Sequence, residues 1–306
     1  MGVLTGKNVL VTGAIGFIGS HLINRLLKEG ANVCGIDIGS SKDADFSSIS
    51  YFNADISDIN TLNSIIVKIK PQIIVHLAAC LGRNVPDEQI IKINYQGTVN
   101  LLGVLDQTQY QRFVYISTSE LYFGNKTPFS ERMPLHPQTA YARSKLMAEE
   151  YCLKQFNKKI KPITIIRPAI VYGSRQVGSM FIPQCIASAF KGEEIKMTAG
   201  EQTRDFVYVD DVVEAIVKAS YVPAAVGEII NIGSGIETTL KEAALKINTL
   251  AGNAIQINFG VLPYRENEIW RYLLDITKAK QILDWNPDIS LEEGLKKTIE
   301  WYKSEC

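Results

Sequence analysis

The 306-residue chain has little of what commonly signals a partner. Lys+Arg and Asp+Glu both stand at 32, so no net field calls for nucleic acid or a membrane surface, and any anion must be held by local groups. The five cysteines, Cys34, Cys80, Cys152, Cys185 and Cys306, are odd in number and scattered. No pair has metal-ligand spacing, so no metal site is expected, and they read as small hydrophobes of a reducing compartment. No apolar run approaches the roughly 20 residues of a membrane span. No basic region precedes an apolar one at the start, and no repeat, low-complexity tract or long linker interrupts the chain. A cytoplasmic protein is expected.

What is present concentrates in Val9-Leu10-Val11-Thr12-Gly13-Ala14-Ile15-Gly16-Phe17-Ile18-Gly19. An apolar β-branched run feeds three glycines at Gly-x-x-Gly-x-x-Gly spacing, and an amphipathic run, 20–28, follows. The pattern predicts a buried strand, a tight turn and a helix whose free N-terminal N–H groups face an anion. Gly13 permits the turn, Gly16 lets a pyrophosphate approach, and Gly19 lets helix and strand pack closely. An ordinary βα turn shows such glycines too. Here a second apolar strand ends in Asp37, 18 residues after Gly19, where a carboxylate accepts from adenosine ribose hydroxyls. The expectation is a dinucleotide site, with Ile15, Phe17 and Ile18 among its contacts. Asp37 favours NAD, because a carboxylate repels the 2′-phosphate of NADP; Lys42 is the nearby cation.

Strands and helices alternate through the first half, which predicts an α/β fold with a Rossmann-type doubly wound parallel sheet covered on both faces. After a Ser/Asp-rich loop and a short strand, Asp55 and Ile56 are placed near the adenine; Asp55 serves equally as a cap for the helix at 59–70. The strand at 73–79 ends in Leu77, Ala78 and Ala79, small enough for a flat ligand to lie close. His76 within it reads as packed core. One helix at 87–108 carries Asn94, expected at the cofactor, one turn before Gly97. A strand at 112–117 leads into Thr118-Ser119-Glu120, and a helix at 139–157 carries Tyr141 and Lys145. From Tyr172 glycines and prolines become frequent and elements shorten, marking a smaller lobe, while 204–219 reads as a return to the main domain. The expected division is 1–168 with about 203–232 for NAD, and about 169–202 with 233–306 for substrate.

Tyr141 and Lys145 are four apart in a helical pattern and share one face. An ammonium there favours ionised tyrosine, and an oxidised nicotinamide would add a second positive charge. A phenol with a usual pKa of about 10 then serves as a base near neutral pH. Tyr-x-x-x-Lys alone is also a common exposed helix pair.

Five motifs in order carry a family resemblance: Gly13-x-x-Gly16-x-x-Gly19, His76-Leu77-Ala78-Ala79, Ser117-Thr118-Ser119-Glu120-Leu121-Tyr122, Tyr141-x-x-x-Lys145 and Arg204-Asp205-Phe206-Val207-Tyr208-Val209-Asp210-Asp211. Together they resemble the extended short-chain dehydrogenase/reductase family, in its nucleotide-sugar epimerase/dehydratase branch. The resemblance implies hydride transfer from carbon 4 of a nucleotide-linked sugar to retained NAD. Tyr141 would take the 4-hydroxyl proton, Lys145 would tune Tyr141 and hold the nicotinamide ribose, and Thr118, or Ser119 after a one-residue shift, would bond the same oxygen. The Thr118-Ser119-Glu120 run is similar to GDP-mannose 4,6-dehydratases and UDP-glucuronate decarboxylases. It makes 4,6-dehydration the first expectation, with Glu120 abstracting the carbon-5 proton; a buried acceptor for backbone N–H groups is its other reading. Behind dehydration stand 4-epimerisation, then decarboxylation or net dehydrogenation or 4-keto reduction, and last a non-catalytic NAD-binding regulator. Arg204 and Arg265 align with diphosphate-binding arginines, although either would also suit a surface carboxylate. Met180 and Phe181, with Ile182, either line the base end of the substrate pocket or simply start an apolar helix. Phe123 and Ile170 depart from the family pattern. By resemblance, the helices at 87–108 and 139–157 pair across a two-fold axis as a four-helix homodimer interface.

Overall fold

The computed structural model describes residues 2–39, 47–82, 84–253 and 255–305. Strand β1 (Asn8–Thr12) is followed by helix α1 (Phe17–Lys28), β2 (Asn32–Asp37), β3 (Ser50–Asn53), α2 (Ile59–Ile69) and β4 (Ile73–His76). Next come α3 (Asp87–Ile91), a π-helical turn (Lys92–Gln96), α4 (Gly97–Leu105), β5 (Arg112–Ile116), a 3₁₀ turn (Ser119–Tyr122), α5 (Ala140–Lys159) and β6 (Ile163–Pro168). The remainder is β7 (Ile170–Tyr172), α6 (Phe181–Lys191), β8 (Ile195–Lys196), β9 (Thr203–Tyr208), α7 (Val209–Tyr221), β10 (Ile229–Ile232), β11 (Glu237–Thr239), α8 (Leu240–Leu250), β12 (Ile257–Asn258), α9 (Thr277–Leu283) and α10 (Leu291–Glu305).

Seven parallel strands form the main sheet in the order β10-β6-β5-β4-β1-β2-β3. Their continuous apolar runs follow from burial on both faces: Val9 and Val11 face one core, Leu10 the other. The chain leaves β1 toward β2 on one side and resumes at β4 on the other. A crevice therefore opens between the ends of β1 and β4, where Thr12 is level with His76.

Two expectations change here. Residues 87–105 are helical throughout but not one α-helix. The π-turn at Lys92–Gln96 changes the register around Asn94, whose amide is held by Cys80 and Ser144. The strand at 203–208 does not return to the main sheet: β9 pairs with β7 and β11 in a separate three-stranded sheet. The return is made by α7, packed on α1, and by β10 beside β6. One core runs on from the main sheet into the lobe, through Tyr172, Phe206, Trp285 and Leu295.

Within that packing α5 is tied to β6 by a buried ion pair. Arg167 Nε donates to Glu149 Oε1 at 2.9 Å, and a terminal nitrogen donates to Oε2 at 2.5 Å, with both side chains at most 2% exposed. The other terminal nitrogen donates to Tyr122 Oη at 2.8 Å, and that hydroxyl donates to Asn231 Oδ1 at 2.8 Å. Glu149→Ala should cost about 3–5 kcal/mol in urea unfolding, because it leaves Arg167 buried and unpaired. The double variant Glu149→Leu/Arg167→Met should recover most of that loss; a double variant as unstable as the single would refute the pairing argument.

Candidate active site

The crevice begins at the glycine turn. Gly13 has φ +72°, and a Cβ there would lie 2.8 Å from Ala78 N. At Gly19 a Cβ would stand 2.0 Å from Gly13 O, so the first turn of α1 rests directly on the loop. Gly16 caps α1 without a side-chain bond, leaving the first amides of a 12-residue helix without a capping side chain. Asp37 closes the far side: its Oδ2 accepts from Ile15 N at 3.0 Å and its Oδ1 from Ile38 N at 2.8 Å. Each carboxylate oxygen keeps a lone pair for a ligand hydroxyl. Leu77, Ala78 and Ala79 form the opposite wall, half-buried, with Leu77 N and Ala78 N donating to Thr12. Phe17 and Ile18 open α1, half-buried against the core. These groups fit a dinucleotide. Lys42 and Cys306 lie outside the described residues.

Other expected contacts are placed differently. Asp55 is exposed and accepts from Ser57 N at 2.7 Å, closing its own turn; Asp58 caps α2 instead. Ile56 turns its side chain into the core, where it fills the space a Gly97 Cβ would need, so only its backbone can face a ligand. Asn94 spends its amide on Cys80 N and O and on Ser144 Oγ, holding the loop after β4 against α5. His76 is core, as its apolar strand suggested: it bonds Thr12 and Thr98 hydroxyls at 2.6 and 2.9 Å, and burial, with Lys145 adding, lowers it to about 3.

The reacting cluster lies at the end of β5 and the start of α5. Thr118 caps the 3₁₀ turn, and its hydroxyl lies near enough to the half-buried Tyr141 phenol to favour the ionised form. Burial drives that phenol well above its ordinary range, the Glu120 carboxylate adds to the rise, and the Thr118 bond opposes it. Lys145 follows one turn later on α5 and is buried. Its Nζ lies 4.4 Å from the Tyr115 ring centre, and burial lowers the amine to about 7 against the pull of Glu149 and Cys152. Burial thus works against the ammonium expected to favour ionised Tyr141.

The alternative hydroxyl, Ser119, does not reach the cluster. It donates to Pro168 O at 2.6 Å and lies 2.5 Å from Tyr272 Oη, fully inside the protein. Glu120 is not a buried structural acceptor. It is exposed, and among the described residues its carboxylate accepts one long bond, from Thr139 Oγ1 at 3.4 Å. Partial desolvation by the cleft walls nonetheless raises its carboxyl, with Thr139 opposing.

Toward the lobe, Arg204 donates to Thr203 O and Ile269 O, both at 2.7 Å, and pairs with Glu268 at 2.6 Å. The carboxylate alternative for Arg204 is thus realised, with a partly buried partner. Arg265 is exposed and has no side-chain partner among the described residues. Met180 caps α6, Phe181 stacks on Phe206 at 6.4 Å, and Ile182 is buried core rather than pocket lining. Among the described residues, no three His, Cys, Asp or Glu side chains gather as a metal site, and no helix is long and apolar enough to cross a membrane. Sequence reasoning gave no role of their own to Glu149, Arg167, Glu268 and Tyr272. A Glu one turn past Lys145 on the same helix face was the available signal for the first.

Fold and site together define a dinucleotide enzyme built around a Thr–Tyr–Lys group. The model of the NAD dependent epimerase/dehydratase family matches residues 9–233, and the chain belongs to that family. It is 35% identical to a UDP-glucose 4-epimerase of Mycolicibacterium smegmatis, over 97% of this chain and 98% of the relative. A UDP-glucose 4-epimerase of Thermotoga maritima, solved with UDP-glucose, superposes with a TM-score of 0.91 at 31% identity, covering 98% of this chain and 99% of that one. A UDP-glucuronic acid 4-epimerase of Bacillus cereus, solved with UDP-glucuronic acid and NAD, gives 0.90 at 28%, covering 98% and 100%. Decarboxylases and 4,6-dehydratases also stand among the relatives. The chain is an NAD-dependent enzyme, which removes the regulator reading.

Lys145 is folded with a pKa of about 7, below the roughly 10.4 of an unfolded lysine, so the unfolded chain binds more protons between these values. Stability should rise with pH across that window, and the burial penalty is fully present below pH 7. Lys145→Met should therefore raise Tm at pH 6 by several kelvin, for a gain of at most about 5 kcal/mol, while turnover is lost. The advantage should shrink toward pH 10; a pH-independent Tm difference would refute it.

Proposed function

We propose that this enzyme oxidises carbon 4 of a nucleotide-linked hexose and then completes a 4,6-dehydration. The Gly13–Gly19 turn would hold NAD, which would take the carbon-4 hydride and return it to carbon 6 as a proton is added at carbon 5. Tyr141 removes the 4-hydroxyl proton, Thr118 holds that oxygen, and Lys145 supplies positive charge beneath them. Oxidation at carbon 4 acidifies the carbon-5 hydrogen. Glu120 takes that proton as the carbon 5–carbon 6 double bond forms, and returns one to the hydroxyl leaving carbon 6, so one water departs and charge balances.

The observation that carries this reading is Glu120, an exposed carboxyl whose charge raises the Tyr141 phenol and which accepts from no backbone amide among the described residues. A simple 4-epimerase has no task for a second acid–base group there. The second reading, 4-epimerisation, is favoured by the names of the similar proteins. Decarboxylation of a uronate would use the same carbon-4 oxidation. On the substrate side we assign the diphosphate to Arg204 and Arg265 and the base to Met180 and Phe181, within a lobe of 169–202 and 233–306. Arg204 comes to that role already paired with Glu268, so a diphosphate must compete with this carboxylate or share the guanidinium with it. We also assign the protein to the cytoplasm and to a homodimer through α3–α4 and α5; its free cysteines accord with a reducing compartment.

Product mass separates the branches when UDP-glucose, dTDP-glucose, GDP-mannose and UDP-glucuronate are supplied. Loss of one water is expected; unchanged mass would establish epimerisation, loss of carbon dioxide decarboxylation, and stoichiometric NADH net dehydrogenation. Tyr141→Phe should lower turnover by about 10²–10⁴-fold. Glu120→Gln should abolish dehydration and carbon-5 solvent exchange while sparing reduction of bound NAD. Full turnover with exchange in that variant would end the role given to Glu120.

A further inference from the structure

The 3₁₀ turn that carries Glu120 is met by a phenol from the segment before α9. Tyr272 lies on the segment between β12 and α9, 5% exposed, with its ring edge-on to Phe129 at 5.4 Å. Phe129 in turn stacks on Tyr122, the last residue of the turn, at 5.5 Å. The Tyr272 hydroxyl is 2.5 Å from Ser119 Oγ, and Ser119 donates its one proton to Pro168 O at 2.6 Å. A carbonyl only accepts, so the direction of the chain is determined: Tyr272 O–H donates to Ser119, and Ser119 O–H donates to Pro168. The chain ends on backbone, which leaves Ser119 no proton to exchange with a substrate. Its effect is mechanical, fixing the residue between Thr118 and Glu120 to β6. Tyr272 is also near enough to Glu120 for that carboxylate to raise its phenol, after burial and against the Ser119 bond. Two further bonds hold the segment in place, Tyr272 N to Thr203 Oγ1 at 3.2 Å and Phe129 N to Leu273 O at 2.8 Å.

We propose that Tyr272 is a positioning residue of the active site: through Ser119 it holds the turn that aims Thr118 and Glu120 at Tyr141, and so joins the substrate lobe to the catalytic turn. This rests on the reading of Glu120 and Thr118 as groups facing the sugar. Tyr272→Phe keeps the ring on Phe129 and removes only the donor.

In ligand-free enzyme, amide hydrogen exchange over residues 119–123 should rise about tenfold in Tyr272→Phe and in Ser119→Ala. The double variant should add nothing more, and exchange in α5 should stay as in wild type. Unchanged exchange at 119–123, or additive effects, would overturn the proposal without any substrate. With UDP-glucose, dTDP-glucose, GDP-mannose or UDP-glucuronate, whichever is turned over, Tyr272→Phe should lower kcat about tenfold. KM should stay within about twofold, and the acid limb of the kcat profile should move. Loss of turnover with an unmoved pH profile would mean a merely structural role and overturn the proposal. If Glu120→Gln keeps both turnover and pH profile, the reading of Glu120 fails instead, while the exchange result still decides whether Tyr272 anchors the turn.

Discussion

The Glu149–Arg167 pair is the constraint on which the site depends. Tyr141, Lys145 and Glu149 follow at four-residue steps along one face of α5, so fixing Glu149 fixes the azimuth of all three. Arg167 supplies the fixed point from β6, and its remaining donor reaches Tyr122 at the end of the turn that begins with Thr118 and Glu120. One guanidinium therefore sets helix and turn relative to each other. A buried ion pair is a poor means of gaining stability, since desolvation offsets much of the attraction. Apolar side chains of the same volume would hold α5 to β6 as firmly but would not impose the same bidentate angle.

That pair also sets the charge of the site. Lys145 sits in a pocket hostile to an ammonium, and Glu149, one turn below, is the largest influence holding its proton on. Tyr141 feels the opposite environment, with burial and Glu120 both keeping it neutral. Ligand-free enzyme thus stores a phenol reluctant to ionise beside an amine reluctant to stay charged. An oxidised nicotinamide held beside Tyr141 would bring positive charge that favours the ionised phenol.

The parts of this design readable in the sequence are those whose geometry is local. Gly13 answers to its own positive φ and Gly19 to Gly13 O in the same turn, Asp37 ends the very next strand, and Tyr141 and Lys145 are one helical turn apart. The unread parts join residues far apart in the chain: Arg167 with Glu149 across 18 positions, Arg204 with Glu268 across 64, Ser119 with Tyr272 across 153. No spacing rule reaches such pairs. β9 was misread for a related reason. Its alternation of aromatic and β-branched residues suits any half-buried sheet, and only the partners β7 and β11 show which sheet it joins. Asp55 and Asp58 illustrate the limit at short range, because both precede α2 and only backbone geometry decides which one caps it.

The chemistry after carbon-4 oxidation turns on how the cleft divides its acids. With Ser119 sealed between Tyr272 and Pro168, the turn presents one hydroxyl, Thr118, and one carboxyl, Glu120. An elimination requires a group that first removes a proton from carbon 5 and then delivers one to the departing hydroxyl. A carboxyl raised by its surroundings suits both halves, since it is a stronger base when ionised and keeps its proton more readily once it has it. Epimerisation makes no such demand, since the sugar needs only room to present its other face. Under the proposed dehydration the exposed carboxyl of Glu120, bonded only loosely by Thr139, has a task that a ketone-turning site alone would not give it.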